Sequence, residues 1–263
     1  MTGAYLPLSA CPQSDLSQAE AVLCDIDDTL TTHGRLPAVA YDALERLHEA
    51  GLIVIPVTGR PAGWCDHIAR MWPVNGVVGE NGAFAFCYDD REKRMLRLYA
   101  QGAEIREANG SRLRRIADHV LATFPGTAIA SDQAYREIDI AVDFREDVPP
   151  LPLETAEAIR KAFEREGATA KVSSIHVNAW FGNHDKLSMA LKLLGDMARE
   201  KVFYAGDSPN DAPMFAAFRN SVGVANVLAY RDIMPSPPHY VTSREGGQGF
   251  AELADAILDA RRR

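Results

Sequence analysis

The sequence predicts an α/β protein, a Rossmann-like parallel-sheet core with an inserted α+β unit. Three observations predict it. Short apolar runs alternate with helically spaced segments over residues 20–79 and again over 186–258. Two of those runs, Ala21-Val22-Leu23 and Val202-Phe203-Tyr204-Ala205, end directly in aspartate clusters. Between the two halves the pattern changes to period-two strands paired with helices, the mark of a sheet with one open face.

The elements follow in order. Residues 1–19 are mixed, contain Pro and Ser, and read as a loose lead-in. Residues 20–26 form the first strand. Pro37 to Ala50 is helical, with Val39, Leu44 and Leu47 inward and Glu45, Arg46 and Glu49 outward, and Gly51 stops it. Leu52 to Val57 is nearly all apolar, as in a strand covered on both faces. Thr58-Gly59-Arg60-Pro61 leads into a helix over Ala62 to Trp72, and Gly76 to Gly79 is a third short strand. This β-α-β-α-β order with short loops implies right-handed crossovers, and ligands of such sheets lie outside the carboxyl ends of the strands.

In the middle stretch, Phe84 to Tyr88 and Met95 to Tyr99 flank a charged turn and form a hairpin. A helix runs from Ala103 to Phe124. Glu137 to Phe144 alternates as a half-exposed strand, Leu153 to Glu166 is helical, and Lys171 to Val177 is a further strand. The α/β pattern resumes with a helix over Lys186 to Leu194, a strand over Lys201 to Ala205 and a helix over Ala212 to Phe218. Strands at Ser221 to Ala225 and His239 to Thr242 follow, then an amphipathic helix over Gly249 to Leu258.

A chain of 263 residues, 47% hydrophobic and 24% charged, has the bulk for a core domain plus a smaller one. A net charge of −8 argues against a nucleic-acid partner. The basic runs Arg112-Leu113-Arg114-Arg115 and Arg261-Arg262-Arg263 read as solvated faces. Cys11, Cys24, Cys65 and Cys87 form no C-x-x-C pair, which suits a reducing cytoplasm. Neither a signal peptide nor a membrane span is expected.

Asp25 and Asp27 lie two residues apart just past the first strand, in Asp25-Ile26-Asp27-Asp28-Thr29. Carboxylates converging at a strand end can hold a hard dication. One can attack phosphorus while the other delivers and then recovers a proton. Gly206-Asp207-Ser208-Pro209-Asn210-Asp211 brings a second acidic cluster to another strand end. The combination points to phosphoryl transfer.

Asp25-Ile26-Asp27-Asp28-Thr29 resembles the first motif of the haloacid dehalogenase superfamily of phosphatases. Thr58 in Val-Thr-Gly-Arg is similar to the second, Lys186 in Asn183-His184-Asp185-Lys186 to the third, and Gly206 to Asp211 to the fourth, in the family's order. The resemblance implies that Asp25 is the nucleophile and a Mg²⁺ ligand. It implies that Asp27 is the general acid/base and touches the metal through its carbonyl. Thr58 and the Gly59 amide would bind phosphoryl oxygens, Lys186 would neutralise the nucleophile and the transferring group, Asp207 would hold Mg²⁺ directly, and Asp211 would hold it directly or through a water. Ser208 and Asn210 would make phosphate or outer contacts. Arg60 binds substrate or caps the next helix, and Asn81 is a substrate-contact candidate near the cap hinge. Leu187 stands where the family often has glycine after the lysine, which leaves Lys192 and Lys201 as fallbacks. Asp28 reads as structural, and His176 and His184 as surface or strand histidines, with a reach to substrate open for both. Trp64, Trp72 and Trp180 read as packing residues, with a substrate-wall role open for Trp180.

Asp25 and Thr58 are one strand-helix-strand unit apart, leaving no room for a domain. Between Thr58 and Lys186 there is such room, near 84–178. The expected core is therefore 1–83 with 179–263, and the expected cap is 84–178. The order β-β-α-β-α-β resembles subfamily IIB, which includes sucrose-phosphate, mannosyl-phosphoglycerate and Cof-type phosphatases. A lid of this size implies a small phosphorylated metabolite, such as a sugar phosphate, as substrate of a Mg²⁺-dependent phosphomonoesterase, working as monomer or homodimer. A phosphomutase would share every motif, and a non-catalytic sugar-phosphate sensor would share the fold. A dehalogenase is disfavoured because it needs neither Asp27 nor Mg²⁺, and a P-type ATPase because it carries Thr where Asp27 stands.

Overall fold

The computed structural model describes residues 5–173 and 175–262. Four residues of the expected lead-in (1–4), Ser174 of the expected strand 171–177 and Arg263 of the terminal arginine run lie outside the described residues.

Chain order is β1 (Leu6–Pro7), α1 (Gln13–Ser17), β2 (Ala21–Cys24), α2 (Ala38–Glu49), β3 (Ile53–Pro56), α3 (Ala62–Met71), β4 (Val77–Gly79), β5 (Phe84–Asp89) and β6 (Arg94–Tyr99). Then come α4 (Ala103–Thr123), β7 (Ala128–Ile129), β8 (Ile140–Asp143), α5 (Leu153–Arg165), β9 (Thr169–Val172) and β10 (His176–Trp180). The chain ends with α6 (Lys186–Leu194), β11 (Val202–Gly206), α7 (Ala212–Ala217), β12 (Asn220–Gly223), β13 (Tyr240–Val241) and α8 (Gly246–Arg262). No helix among the described residues is long and apolar enough to cross a membrane.

Six strands form a parallel sheet in the order β1-β13-β12-β11-β2-β3. Successive side chains of a strand face opposite ways, and β2 shows the consequence. Val22 and Cys24 join an apolar cluster with Leu44 of α2, Ile68 of α3 and Phe250 of α8. Ala21 and Leu23 join a second cluster with Met189 of α6 and Phe215 of α7. Helices thus cover both faces, which explains why β2, β3 and β11 are apolar throughout.

The residues read as a lead-in are built into this layer. β1 adds to the sheet edge beside β13, and Leu8, Cys11 and Leu16 are buried in the first cluster. A two-residue strand and a five-residue helix are too short to leave a periodic signal.

β5 and β6 extend β4 into a three-stranded antiparallel sheet. Phe84 and Phe86 sit in the same apolar cluster as α3, so this hairpin packs with the core although the sequence places the cap boundary at residue 84. The cap sheet proper is antiparallel, β7-β8-β10-β9. The expected single strand over 171–177 is two strands that turn back on each other, with Ser173 N–H donating to the His176 carbonyl at 2.8 Å. One face of this sheet, with Ile140, Val142, Val177 and Ala179, packs on Leu113 and Val120 of α4 and Ile159 and Phe163 of α5. The alternation of Glu137 to Phe144 suggests a face open to solvent. Instead β8 is buried on both sides: Ala141 and Asp143 pair with Asn178 and His176, whose side chains line the cleft against the core.

Candidate active site

The site follows from sheet register. β11, β2 and β3 are neighbours, and Cys24 pairs with Ala205 on one side and Pro56 on the other. The residues just past those positions, Asp25, Asp207 and Thr58, therefore emerge at the same edge from strands about 4.8 Å apart. The Asp25 backbone N–H still donates to the Ala205 carbonyl at 2.9 Å, so the side chain leaves from a fixed strand end.

Lys186 opens α6, whose cap is reciprocal: Asp185 accepts from the Ser188 N–H at 2.7 Å while the Asp185 N–H donates to the Ser188 hydroxyl. Lys186 Nζ lies 3.0 Å from Oδ1 of Asp25 and 3.0 Å from Oδ1 of Asp211. Burial, which would lower its pKa, is outweighed by Asp211 and Asp25, which hold it above the ordinary lysine value. Leu187 is no obstacle to this placement. The backbone freedom lies in Gly82, at φ +97, where a Cβ would meet the Asp185 carbonyl oxygen at 1.9 Å. Neither Lys192 nor Lys201 lines the cleft; Lys201 pairs with Glu20.

Asp25, Asp207 and Asp211 are buried, and each offers an oxygen within 4.8 Å of the others. Burial pushes the Asp25 carboxyl up to about 7 against the pull of Lys186, and Asp211 and Asp27 add to the push. Burial, then Asp211 and Asp25, drives Asp207 well above the usual carboxylate range. Three acids crowded in this way with one ammonium between two of them are a donor set that fits a hard dication. Asp207 is held by the Thr29 hydroxyl and the Asn226 amide, each at 3.3 Å. Asp211 is tied more tightly. Its Oδ1 accepts from Lys186 and from the Tyr204 hydroxyl at 2.6 Å, and its Oδ2 accepts from the backbone N–H of Asp207 at 3.0 Å and of Ser208 at 3.3 Å.

Asp27 faces the cleft beside Asp25, and Arg60 grips it. Arg60 Nε donates to both carboxylate oxygens at 3.1 Å and Nη2 to Oδ1 at 2.9 Å. Gly59 and Asn210 also line the cleft, together with Ser208. Thr58 lies behind them, fully buried, its hydroxyl accepting from the Arg60 N–H at 3.0 Å. Asp28 turns away at φ +56, its N–H on the Thr31 hydroxyl and its carbonyl on Asn226.

The turn after β4 places Asn81 and fastens the cap. Glu80 and Asn81 are both left-handed, at φ +42 and +55, which costs non-glycine residues about 1 kcal/mol or more each. Asn81 thereby reaches the cleft, where its buried Nδ2 finds no acceptor among the described residues. Glu80 is fully buried and accepts N–H bonds from Ala62, Glu137, Ile138 and Asp139 at 2.7–3.0 Å. Arg136 of the same cap segment donates to the Gly59 carbonyl at 3.0 Å.

The cap's polar face closes the cleft with Arg136, Lys171, Ser173, His176 and Asn178. Of these only His176 is a residue the sequence singles out, as a surface or strand histidine with a reach to substrate open; it is 2% exposed, with Nε2 2.9 Å from Oε2 of Glu146. The period-two alternation of the cap strands was the signal available for Lys171 and Asn178, whereas Arg136 and Ser173 lie outside those strands. His184 lies outside the cleft, buried and stacked on Trp180 at 5.6 Å. Trp180 is packed away, Trp72 meets Tyr41 edge to face, and the Trp64 ring carries the Arg60 guanidinium at 4.5 Å.

The sequence matches the haloacid dehalogenase-like hydrolase family over residues 22–109. No curated protein matches it. Among solved structures, a Thermoplasma acidophilum protein is similar at a TM-score of 0.71 and 18% identity, covering 91% of this chain and 98% of its own. The sucrose-phosphatase of Synechocystis, in complex with sucrose and phosphate, is similar at 0.64 and 18%, covering 92% and 98%. A haloacid dehalogenase-like hydrolase of Bacteroides thetaiotaomicron is similar at 0.64 and 16%, covering 91% and 99%. At these identities the structures speak for the fold, parallel core and separate antiparallel sheet included. The sequence match covers the first two motifs, and the fold is shared along nearly the whole chain, so over residues 22–109 this protein is similar in sequence to the haloacid dehalogenase-like hydrolases.

Proposed function

We propose that the protein is a Mg²⁺-dependent phosphomonoester hydrolase acting on a small phosphorylated metabolite through an aspartyl-phosphate. The observation that carries this reading is the Asp25 carboxylate, 3.0 Å from Lys186 and grouped with Asp207 and Asp211, with Asp27 on the same strand-end turn. Asp25, Asp207 and the Asp27 carbonyl are the groups that would hold Mg²⁺, with Asp211 beside them. The bound ion would offset charge on the phosphoryl oxygens and on Asp25.

An Asp25 oxygen attacks phosphorus as the bond to the leaving oxygen breaks, and Asp27 gives its proton to that oxygen. Water then attacks the phosphoryl group on Asp25, Asp27 takes the water's proton, and phosphate leaves with Asp25 restored. Lys186 steadies the charge of Asp25 throughout. The Gly59 amide, Asn81 and Asn210 would bind phosphoryl oxygens, with Thr58 behind them; all three line the cleft, and the Asn81 Nδ2, without an acceptor among the described residues, is a donor suited to one. The cap covers the cleft, which favours a metabolite over a phosphoprotein. Its wall is polar and hydrogen-bonding, which suits the hydroxyls of a sugar phosphate. All four cysteines are free, three buried and one half-buried, in keeping with a reducing cytoplasm.

The test is phosphate release from a panel of phosphorylated metabolites with Mg²⁺ or EDTA, by wild type and Asp25→Asn. Activity that survives in Asp25→Asn overturns the nucleophile. Transfer of phosphate to a second position of the sugar, without release, would make the enzyme a mutase, and no turnover across the panel would favour a sensor.

A further inference from the structure

We propose that Glu146 of the cap is a positioning residue for Asp27, acting through Arg60, so that the acid/base is fully set only when the cap is seated. The inference rests on the phosphatase reading above. Arg60 is 8% exposed and stands between the two parts of the molecule. One edge of its guanidinium holds both oxygens of Asp27. Nη1 and Nη2 each reach Oε1 of Glu146 at 3.3 Å, and Nη1 lies 3.8 Å from Oδ2 of Asp132, also of the cap. Its face rests on Trp64. A planar guanidinium gripped on two edges and one face has little freedom, and it passes that restriction to the carboxylate it holds.

Glu146 is itself placed rather than trailing from a loop. Its backbone N–H donates to Asp143 Oδ1 at 2.8 Å, and the buried Asp143 also accepts from the N–H groups of Arg145 at 2.9 Å and Asp147 at 2.8 Å. Its other oxygen faces His176, and that contact, with Arg60, holds the Glu146 carboxyl down at about 2. The chain of contacts Asp27–Arg60–Glu146–His176 therefore crosses from core to cap over the reacting centre. If the cap lifts, Arg60 loses Glu146 and Asp132 together and the Asp27 carboxylate regains rotational freedom.

Proton delivery matters most for poor leaving groups, which gives the proposal a readout that a merely structural residue would not move. Phenyl phosphate and p-nitrophenyl phosphate have nearly the same shape, but nitrophenolate departs without a proton. The ratio kcat/KM reports only steps up to transfer onto Asp25, leaving out hydrolysis of the aspartyl-phosphate. In Glu146→Gln we expect kcat/KM for phenyl phosphate to fall about tenfold, within the 10²–10⁴-fold worth of general acid catalysis, and that for p-nitrophenyl phosphate to fall about twofold or less. Glu146→Asp should recover part of the loss, and it carries the test if the Gln variant does not fold. Equal losses for both esters, or no loss for either, overturn the proposal while leaving the phosphatase reading intact. A wild type that hydrolyses neither ester, with Mg²⁺ present, overturns both.

Discussion

The ammonium of Lys186 lies 3.0 Å from Oδ1 of Asp25, at the first turn of a helix more than 150 residues downstream of the strand that ends in that aspartate. Nζ is shared with Asp211, so a single buried cation separates two buried acids. Replacing Lys186 with Met keeps the stem and removes the charge. The two carboxylates then face each other unneutralised, and removing one partner of a buried pair typically costs about 3–5 kcal/mol. Lys186→Met is expected to lose stability in urea titration at neutral pH, less so with Mg²⁺ present. Its kcat should fall at least about 10²-fold, as when a preorganised transition-state contact is removed.

Gly82 decides whether that lysine can be there at all. Its φ of +97 and the 1.9 Å gap between an added Cβ and the Asp185 carbonyl oxygen leave no room for a side chain. Gly82→Ala is expected to destabilise by about 3 kcal/mol or more, combining backbone strain and overpacking. It should also shift the start of α6 and lower kcat in the part that still folds. Unchanged urea midpoint and activity would show that the turn relaxes freely.

This pair of positions also marks what could be read from the chain. Asp25, Thr58 and Asp207 were legible because each ends an apolar strand, and a parallel sheet puts such ends on one edge. Lys186 was legible from its place in the order of motifs, but the glycine that makes room for it was not, because it lies on another loop about a hundred residues earlier. Lys171 and Asn178 were illegible for a related reason. Their alternation gives a strand face, yet only the docking of the cap through Glu80 and Arg136 says that this face meets the core rather than water. The lead-in misread has a different cause: Leu8 and Leu16 are held by tertiary contacts alone.

Tyr204 belongs to the apolar face of β11, yet its hydroxyl donates to Asp211 at 2.6 Å. Hydrogen bonds to charged groups contribute about 1.5–3 kcal/mol. Tyr204→Phe should lose stability of that order in denaturant titration, with the ring packing against Phe215 and Phe218 retained. Because Asp211 would then depend on Lys186 and two backbone N–H groups, the Mg²⁺ concentration for half-maximal activity should also shift. A variant as stable as wild type would mean that the hydroxyl bond adds nothing net.

His184 predicts how stability responds to acid. Burial pushes its pKa down to about 4, and among the described residues no group hydrogen-bonds either ring nitrogen. The unfolded chain takes up this proton near pH 6.5 and the folded protein only near pH 4. Stability should therefore fall as pH drops through that window, by up to about 3 kcal/mol from this group. His184→Phe keeps an aromatic ring against Trp180 and should flatten the pH dependence of the melting temperature between pH 6.5 and 4. An unchanged slope would assign the acid sensitivity elsewhere.

Asp207 gives the sharpest test of the dication site. Its carboxylate is buried beside Asp25 and Asp211, held by two long hydrogen bonds and, among the described residues, by no ammonium of its own. Without metal, that charge works against folding. Asp207→Asn should therefore melt no lower than wild type in EDTA. Mg²⁺ at a hundred times its Kd should stabilise wild type by about 2.7 kcal/mol through mass action, whereas the variant, short of a ligand, should show little shift and little activity. The two expectations pull in opposite directions, more stable when metal-free and less responsive when loaded, which a residue of purely structural importance would not produce. A variant that melts well below wild type in EDTA, or that Mg²⁺ still stabilises to the full extent, would remove Asp207 from the metal site.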